Sequence, residues 1–308
     1  MKKHLRTAGM VLLVAVCGAV AVVVNLGPPE WLRKAMGRDE PAVARPLDEN
    51  TSVVEPKDLK RAEAPPQGMR LVWRDEFTGA RGASPSASRW KIETTAPDTG
   101  ELEKNTRKNV ALDGKGRLLI VARKKGDEEY TSARINTEGL LHMTYGRVTA
   151  RIKTPNGRGL WPAFWLLGTD YRKNPWPDCG EIDIMERRGD LRDRSYATVQ
   201  GPGYSGVGIS KQYSLGEKKD FSAAFHVFTL DWTRDKLVFM VDGYVVQTVE
   251  RTELPGKWVF SHPFFIVLNL AVGGPFPGSP DAATPFPARM LVDYVRVYSF
   301  PSSKISIA

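Results

Sequence analysis

Cysteine is close to absent from this chain: Cys17 and Cys179 are the two present among 308 residues. Cys17 falls in an apolar leading stretch, so the rest of the chain offers Cys179 no partner, and a disulfide framework is excluded. Histidine is nearly as scarce, with four in the chain. No His or Cys cluster is spaced to hold a catalytic transition metal, and no cofactor is expected for catalysis. Internal repeats are lacking. So is any long 3.6-residue apolar period after residue 68, which argues against a helical domain. The basic residues do not gather into the kind of run that a nucleic-acid stripe needs, so a nucleic-acid partner is not expected.

What is present is ordinary globular material, 42% apolar and 26% charged, in a length that can supply its own core. The net charge is +9, and residues 1–68 hold 10 basic and 8 acidic residues, which leaves +7 on the remainder. Such a surface aids solubility and also favours anionic cell-surface polymers.

The first residues stand apart. Lys2, Lys3 and Arg6 precede an unbroken apolar run, Ala8 to Val24, of 17 residues. That is long for a secretory apolar region, roughly 7–15 residues, and short for a membrane helix, roughly 17–25. Ala19-Val20-Ala21 offers a small-residue cleavage site. Residues 1–26 are therefore expected to be a signal peptide or an N-terminal membrane anchor. Either puts the following domain outside the cytoplasm. Val16 before Cys17 excludes a lipidation signal, which needs a small residue there. Residues 27–67 are rich in Pro and mixed charge, from Pro28 to Pro66, and read as an extended linker. The domain is expected over 68–300, with 301–308 as a tail and the protein as a monomer.

Within that domain the apolar residues come in short bursts rich in β-branched and aromatic side chains, separated by Gly and Pro. Gly116–Ala122, Phe228–Trp232 and Met290–Tyr298 are three of them. Leu237–Val241 and Tyr244–Val249 flank Asp242-Gly243, a dipeptide suited to a two-residue hairpin turn with positive φ at both positions. The pattern predicts an all-β sandwich or barrel.

One burst is anomalous. Gly180–Gly189 reads GEIDIMERRG, with Glu181, Asp183 and Glu186 set among Ile182, Ile184 and Met185. On a strand, Glu181 and Asp183 share one face and the isoleucines the other. Strict alternation would send Glu186 into the core, where an unpaired carboxylate is costly. A β-bulge near Met185 restores Glu186 to the face of the other two acids. Four effective steps then separate the glutamate backbones by about 13 Å, and leaning side chains can close this toward the ~5–5.5 Å of a retaining glycosidase. Carboxylates so close cannot all ionise easily, so at least one pKa should rise. A merely solvated acidic strand face is the plain alternative, but it accounts less well for three acids interleaved with core residues.

With these residues in view, the chain resembles glycoside hydrolase family 16, in its laminarinase-like branch. The likeness runs from about Leu71 to Tyr298 and includes GEIDIME, Leu71–Phe77, Tyr130–Ile135, Gly159–Gly168, Gly201–Gly206 and Leu268–Gly274. It implies a β-jelly-roll sandwich with a substrate cleft across the concave sheet, and endo-β-1,3-glucanase activity, with mixed β-1,3/1,4-glucan as a further substrate. It also implies that Glu181 is the nucleophile, Glu186 the general acid/base and Asp183 their helper. Trp161 and Trp165, four apart and so on one strand face, would by the same resemblance pack against sugar rings rather than in the core. Trp176 would stand near the cleft entrance, Arg134 would donate to sugar hydroxyls, and Gln200 would contact substrate. A structural calcium ion is implied too, held by Asp293 and the backbone carbonyls of Glu76 and Gly116.

Two positions depart from the branch. Glu101-Leu102-Glu103 is followed by Lys104-Asn105-Thr106 instead of an aromatic pair, and Gln200 stands where histidine is common. By the resemblance both lie on the substrate's non-reducing side. Two other readings stay open at this point: the same chemistry on another polysaccharide such as a galactan, and a jelly roll that binds carbohydrate without cleaving it.

Overall fold

The structure, a computed structural model, describes residues 68–308 apart from Asp98 and Asp127. The expected leader and linker therefore lie outside the described residues. Among those described, strands dominate, and the helical elements are two single 3₁₀ turns, Arg107–Asn109 and Arg251–Glu253.

Two large sheets form. The first runs in the order Tyr244–Glu250, Lys236–Val241, His226–Trp232, Gly146–Lys153, Ala288–Ser299, Leu118–Lys125, Glu129–Ser132, Glu103–Asn105. The second runs Tyr204–Ser214, Arg194–Gly201, Glu181–Glu186, Leu160–Gly168, Phe264–Val272, Arg134–Asn136, Lys91–Ile92. Their facing sides bury one large apolar cluster, drawing Phe228, Leu230 and Trp232 from the first and Phe164, Leu166, Ile182 and Ile266 from the second. This is an all-β sandwich, one of the two arrangements that the short bursts predict, and the jelly roll that the resemblance implies.

The hairpin at Asp242-Gly243 forms as expected, with φ of 51° and 84° at its two turn residues. The expected tail does not stand free. Lys304–Ile307 pairs with Leu141–Thr144 at the side of the second sheet, so the domain's last strand lies beyond residue 300. Its backbone gains a ladder that a solvated tail would lack.

The second sheet also carries apolar residues on its outer face. Leu167, Cys179, Phe265 and Val267 make a small separate cluster there, with Trp165 and Tyr171 against it. The strand Leu160–Gly168 is thus apolar on both sides, which suits a central strand whose outer face is also covered.

Candidate active site

The bulge that parity demands is present. On one side Met185 pairs with Phe164 and Asp183 with Trp165, skipping Ile184. On the other side Asp183 pairs with Thr198 and Glu186 with Tyr196, so three steps on one strand match two on its neighbour. Ile184 and Met185 both turn into the sandwich core, 2% and 0% exposed. Each such burial is worth about 1.5–3 kcal/mol. Glu186 is thereby returned to the outer face with Glu181 and Asp183.

Around them the register assembles a pocket of polar and aromatic groups. Trp161 Nε1 donates to Glu186 Oε1 at 2.9 Å. The Trp161 ring lies 5.3 Å from that of Phe276, which in turn meets Tyr196 edge-on at 5.4 Å. Phe276 therefore spans the two strands flanking Glu186. Trp165 Nε1 donates to Asn269 Oδ1 at 2.7 Å, and the Arg134 guanidinium sits 4.7 Å from the Trp165 ring centre. Gly274 lets its loop approach Trp161: a side chain there would stand 3.1 Å from the ring, on a backbone with φ of +103°.

Burial is the leading cause of raised pKa at all three acids. It pushes Glu181 up to about 8, with the charge of Glu186 adding and Arg134 opposing. It pushes Glu186 up to about 7, against the Trp161 hydrogen bond. Asp183 is raised well above its ordinary value by burial and by both glutamates. Its Oδ2 is buried with no hydrogen-bond partner. A cluster that cannot ionise fully at neutral pH can both hold and release a proton, which is what acid/base chemistry needs.

The other expected residues are placed as follows. Trp161 and Trp165 share the outer face with the acids. Gln200 is directly opposite Glu181 in the ladder, 8% exposed, with Oε1 buried and unpartnered. Arg134 is engaged by Glu93 at 3.2 Å as well as by Trp165, and its charge acts on Glu181. Trp176 lies in the 169–180 segment and is 47% exposed. Glu101–Glu103 borders the far strand end: Glu101 bridges Gly273, and Val272 N donates to Glu103 Oε2 at 2.8 Å. Val272 is level with Leu160 and Gln200 with Glu181, so the two departures sit toward opposite ends of the strands.

The residues expected to hold calcium do converge. Val292 pairs with Leu118 and Val295 with Asp75, so the two strand ends carrying Gly116 and Glu76 meet beside Asp293. A side chain on Gly116 would lie 3.8 Å from the Glu76 carbonyl oxygen. The carboxylates are already engaged, however. Asp293 Oδ2 accepts from Arg151 at 2.7 Å, and Glu76 accepts from Arg296 at 2.8 and 3.0 Å. Two carbonyls and one carboxylate form a hard donor set fit for calcium, provided Asp293 shares its charge with Arg151.

Sequence reasoning missed Asn269, Phe276, Tyr196 and Glu93 as members of the site. Asn269 had a signal, a lone amide in the apolar strand Phe264–Val272; the others depend on long-range pairing.

The family Glycosyl hydrolases family 16 matches residues 98–296. The chain belongs to that family. A β-glucanase of Rhodothermus marinus is 36% identical over 246 residues, covering 74% of this chain and 84% of its own. Among solved structures, the endo-β-1,3-glucanase of Pyrococcus furiosus is 46% identical with a TM-score of 0.70, covering 75% of this chain and 95% of that one. The laminarinase catalytic domain of Thermotoga maritima is 42% identical with a TM-score of 0.71, covering 76% and 99%. The matched span contains Glu181, Asp183 and Glu186 and every aromatic side chain described around them. The chain is a glycoside hydrolase by this membership.

Proposed function

We propose that the chain is an exported, retaining endo-β-glucanase that cleaves β-1,3-glucan of the laminarin type, and mixed β-1,3/1,4-glucan, by double displacement. The observation that carries this reading is the bulge that sets Glu181, Asp183 and Glu186 on one face with Trp161 bonded to Glu186. The similarity to glucanases named for these substrates supports the choice of polymer.

In the first step the Glu181 carboxylate forms a bond to the anomeric carbon. The bond to the glycosidic oxygen breaks, and that oxygen takes the proton of the Glu186 carboxylic acid and leaves as an alcohol. In the second step the Glu186 carboxylate removes a proton from water as the water oxygen bonds to the anomeric carbon and releases Glu181. The Trp161 hydrogen bond favours the Glu186 anion, against burial. The mechanism requires Glu186 to hold its proton until the glycosidic oxygen takes it. Burial and both glutamates favour the neutral form of Asp183, which is two residues from Glu181 on the same face and in that form can donate to its carboxylate. Arg134 favours the same anion. The calcium ion at Asp293 and the carbonyls of Glu76 and Gly116 belongs to this proposal as a structural element only.

Reducing-sugar release from laminarin, set against agar and carrageenan, tests the polymer. No release from any of them points to a carbohydrate binder, and release from a galactan alone changes the substrate. The roles are tested with E186A, E181A, an activated aryl glycoside and azide. E186A should yield the β-glycosyl azide and E181A the α-glycosyl azide, read by proton NMR. The opposite products would exchange the two roles, and inversion by the wild type would refute double displacement.

A further inference from the structure

A second cavity, of about 340 Å³, lies beyond the strand end that carries Glu181. Asp170, Asn174 and Asp178 line it from the segment between strands Leu160–Gly168 and Glu181–Glu186, and Lys257, Trp258 and His262 from the approach to Phe264–Val272. Gly168 N donates to Gly180 O at 3.2 Å, just before the catalytic strand, and Thr169 N donates to Pro263 O at 2.9 Å, tying the two segments to each other. None of the three acids lines it.

Four polar atoms of the residues that line it are buried and without a hydrogen-bond partner: Asp170 Oδ1, Trp258 Nε1, and both ring nitrogens of His262. The approach of His262 Nδ1 to Asp170 Oδ1, 3.6 Å, is too long for a hydrogen bond. Trp258 is 9% exposed, its ring fixed edge-on to Phe260 at 5.1 Å. Buried polar groups are nearly always satisfied, and a concentration of exceptions calls for a reason. The cavity is near the lower end of the ~300–1,000 Å³ typical of small-molecule sites.

The chemistry of the walls narrows the ligand. Trp258 Nε1 can only donate, the Asp170 carboxylate accepts, and a neutral imidazole does one at each nitrogen. A hydroxyl donates and accepts at once, so an array of hydroxyls on one ring satisfies this set. Asp170 and Asp178 outnumber Lys257 on the lining and so disfavour an anion. Among the described residues no group of three His, Cys, Asp or Glu is placed to hold a metal. Trp176 lies in the same segment, between the lining residues Pro175 and Asp178, and leaves its indole 47% exposed, an apolar surface of the kind a sugar ring covers.

We propose that this cavity is a saccharide pocket, separate from the catalytic acids, that takes one pyranose unit of a glycan. The choice of a β-1,3-gluco-oligosaccharide as probe rests on the function proposed above. The test titrates laminaritetraose into the full chain carrying E181Q and follows the indole N–H signals by NMR. W258F and W161F assign the two signals of interest. The Trp258 signal should move and saturate alongside that of Trp161. D170A should weaken the Trp258 response at least fivefold while leaving the Trp161 response within twofold. A Trp258 signal that stays fixed, or that D170A leaves unchanged, overturns the proposal. So does a D170A variant in which both responses fall together, since the cavity would then not be a separate site. Hydrolysis of laminarin by the wild type is read independently, so a failed polymer assignment is not confused with a failed pocket.

Discussion

Replacing Glu181 by Gln should make the protein more stable, and the gain should appear only as the pH rises. The Glu181 carboxyl ionises near 4.5 when unfolded and at about 8 when folded, chiefly because burial penalises its charge. Between those values the unfolded chain has released a proton that the folded chain still holds. Raising the pH therefore favours unfolding, and wild-type stability falls across this window. Below about pH 4.5 the group is neutral in both states and costs nothing. Each tenfold change in proton affinity corresponds to about 1.4 kcal/mol, so the rise to about 8 bounds the cost at about 5 kcal/mol above that pH. Part of it is repulsion from Glu186, which that residue shares, and the glutamine of E181Q must still desolvate its amide. A net gain of about 2 kcal/mol is the expected outcome. In a domain this size that is a rise of roughly 4–8 °C in melting temperature.

The assay is urea unfolding of wild type and E181Q at pH 4, 6 and 8.5. Comparing the two proteins at each pH cancels every titrating group that they share, apart from Glu186 and Asp183. Those two should ionise more easily once their neighbour is neutral, which adds to the gain. The difference should be near zero at pH 4 and largest at pH 8.5. A difference that is constant with pH, or larger in acid, would refute the claim that burial of charge dominates this site.

Four further outcomes follow. W161F removes the donor that lowers the Glu186 pKa, so the limb of its kcat/KM profile set by Glu186 should move to higher pH; two unmoved limbs would show that this hydrogen bond does not tune Glu186. R187M should lose about 3 kcal/mol or more by urea unfolding, because the six hydrogen bonds of this fully buried guanidinium serve groups left without donors; a loss under 1 kcal/mol would contradict that. Calcium should raise the melting temperature over that in EDTA, and D293A should remove the effect; equal melting in both refutes the ion. A chain beginning at Gln67 should fold and keep full activity, and an unfolded circular dichroism spectrum would move the domain boundary.

Local features were legible because they rest on local chemistry. Asp242-Gly243 names its turn through the positive φ that both positions need. The spacing of Glu181, Asp183 and Glu186 names its bulge, because the strand period is two and a buried carboxylate is expensive. What depends on distant pairing was not legible. Lys304–Ile307 has only four residues, two of them polar, and becomes a strand through Leu141–Thr144, far upstream. Arg151 reaches Asp293 across 142 positions, so the competition at the calcium residues could not be foreseen. Nothing in the sequence separates Arg187 from Arg188 beside it, yet Arg187 is wholly buried and Arg188 is not.

Arg187 and the bulge together explain how so short a segment aims Glu186. Ile184 and Met185, on the near side of the acid, both plug into the sandwich core. On its far side, Arg187 N donates to Pro162 O at 3.1 Å. The Arg187 side chain gathers the carbonyls of Leu191, Arg192 and Arg194, tying the following loop beneath the strand. Glu186 is thus held between two anchors that point away from the cleft, and Trp161 fixes its carboxylate from within it. A loop-borne acid would need to be ordered at each turnover; here the entropy is lost on folding. The same rigidity holds a buried Asp183 and two half-buried glutamates together, which is why the site should cost stability at neutral pH.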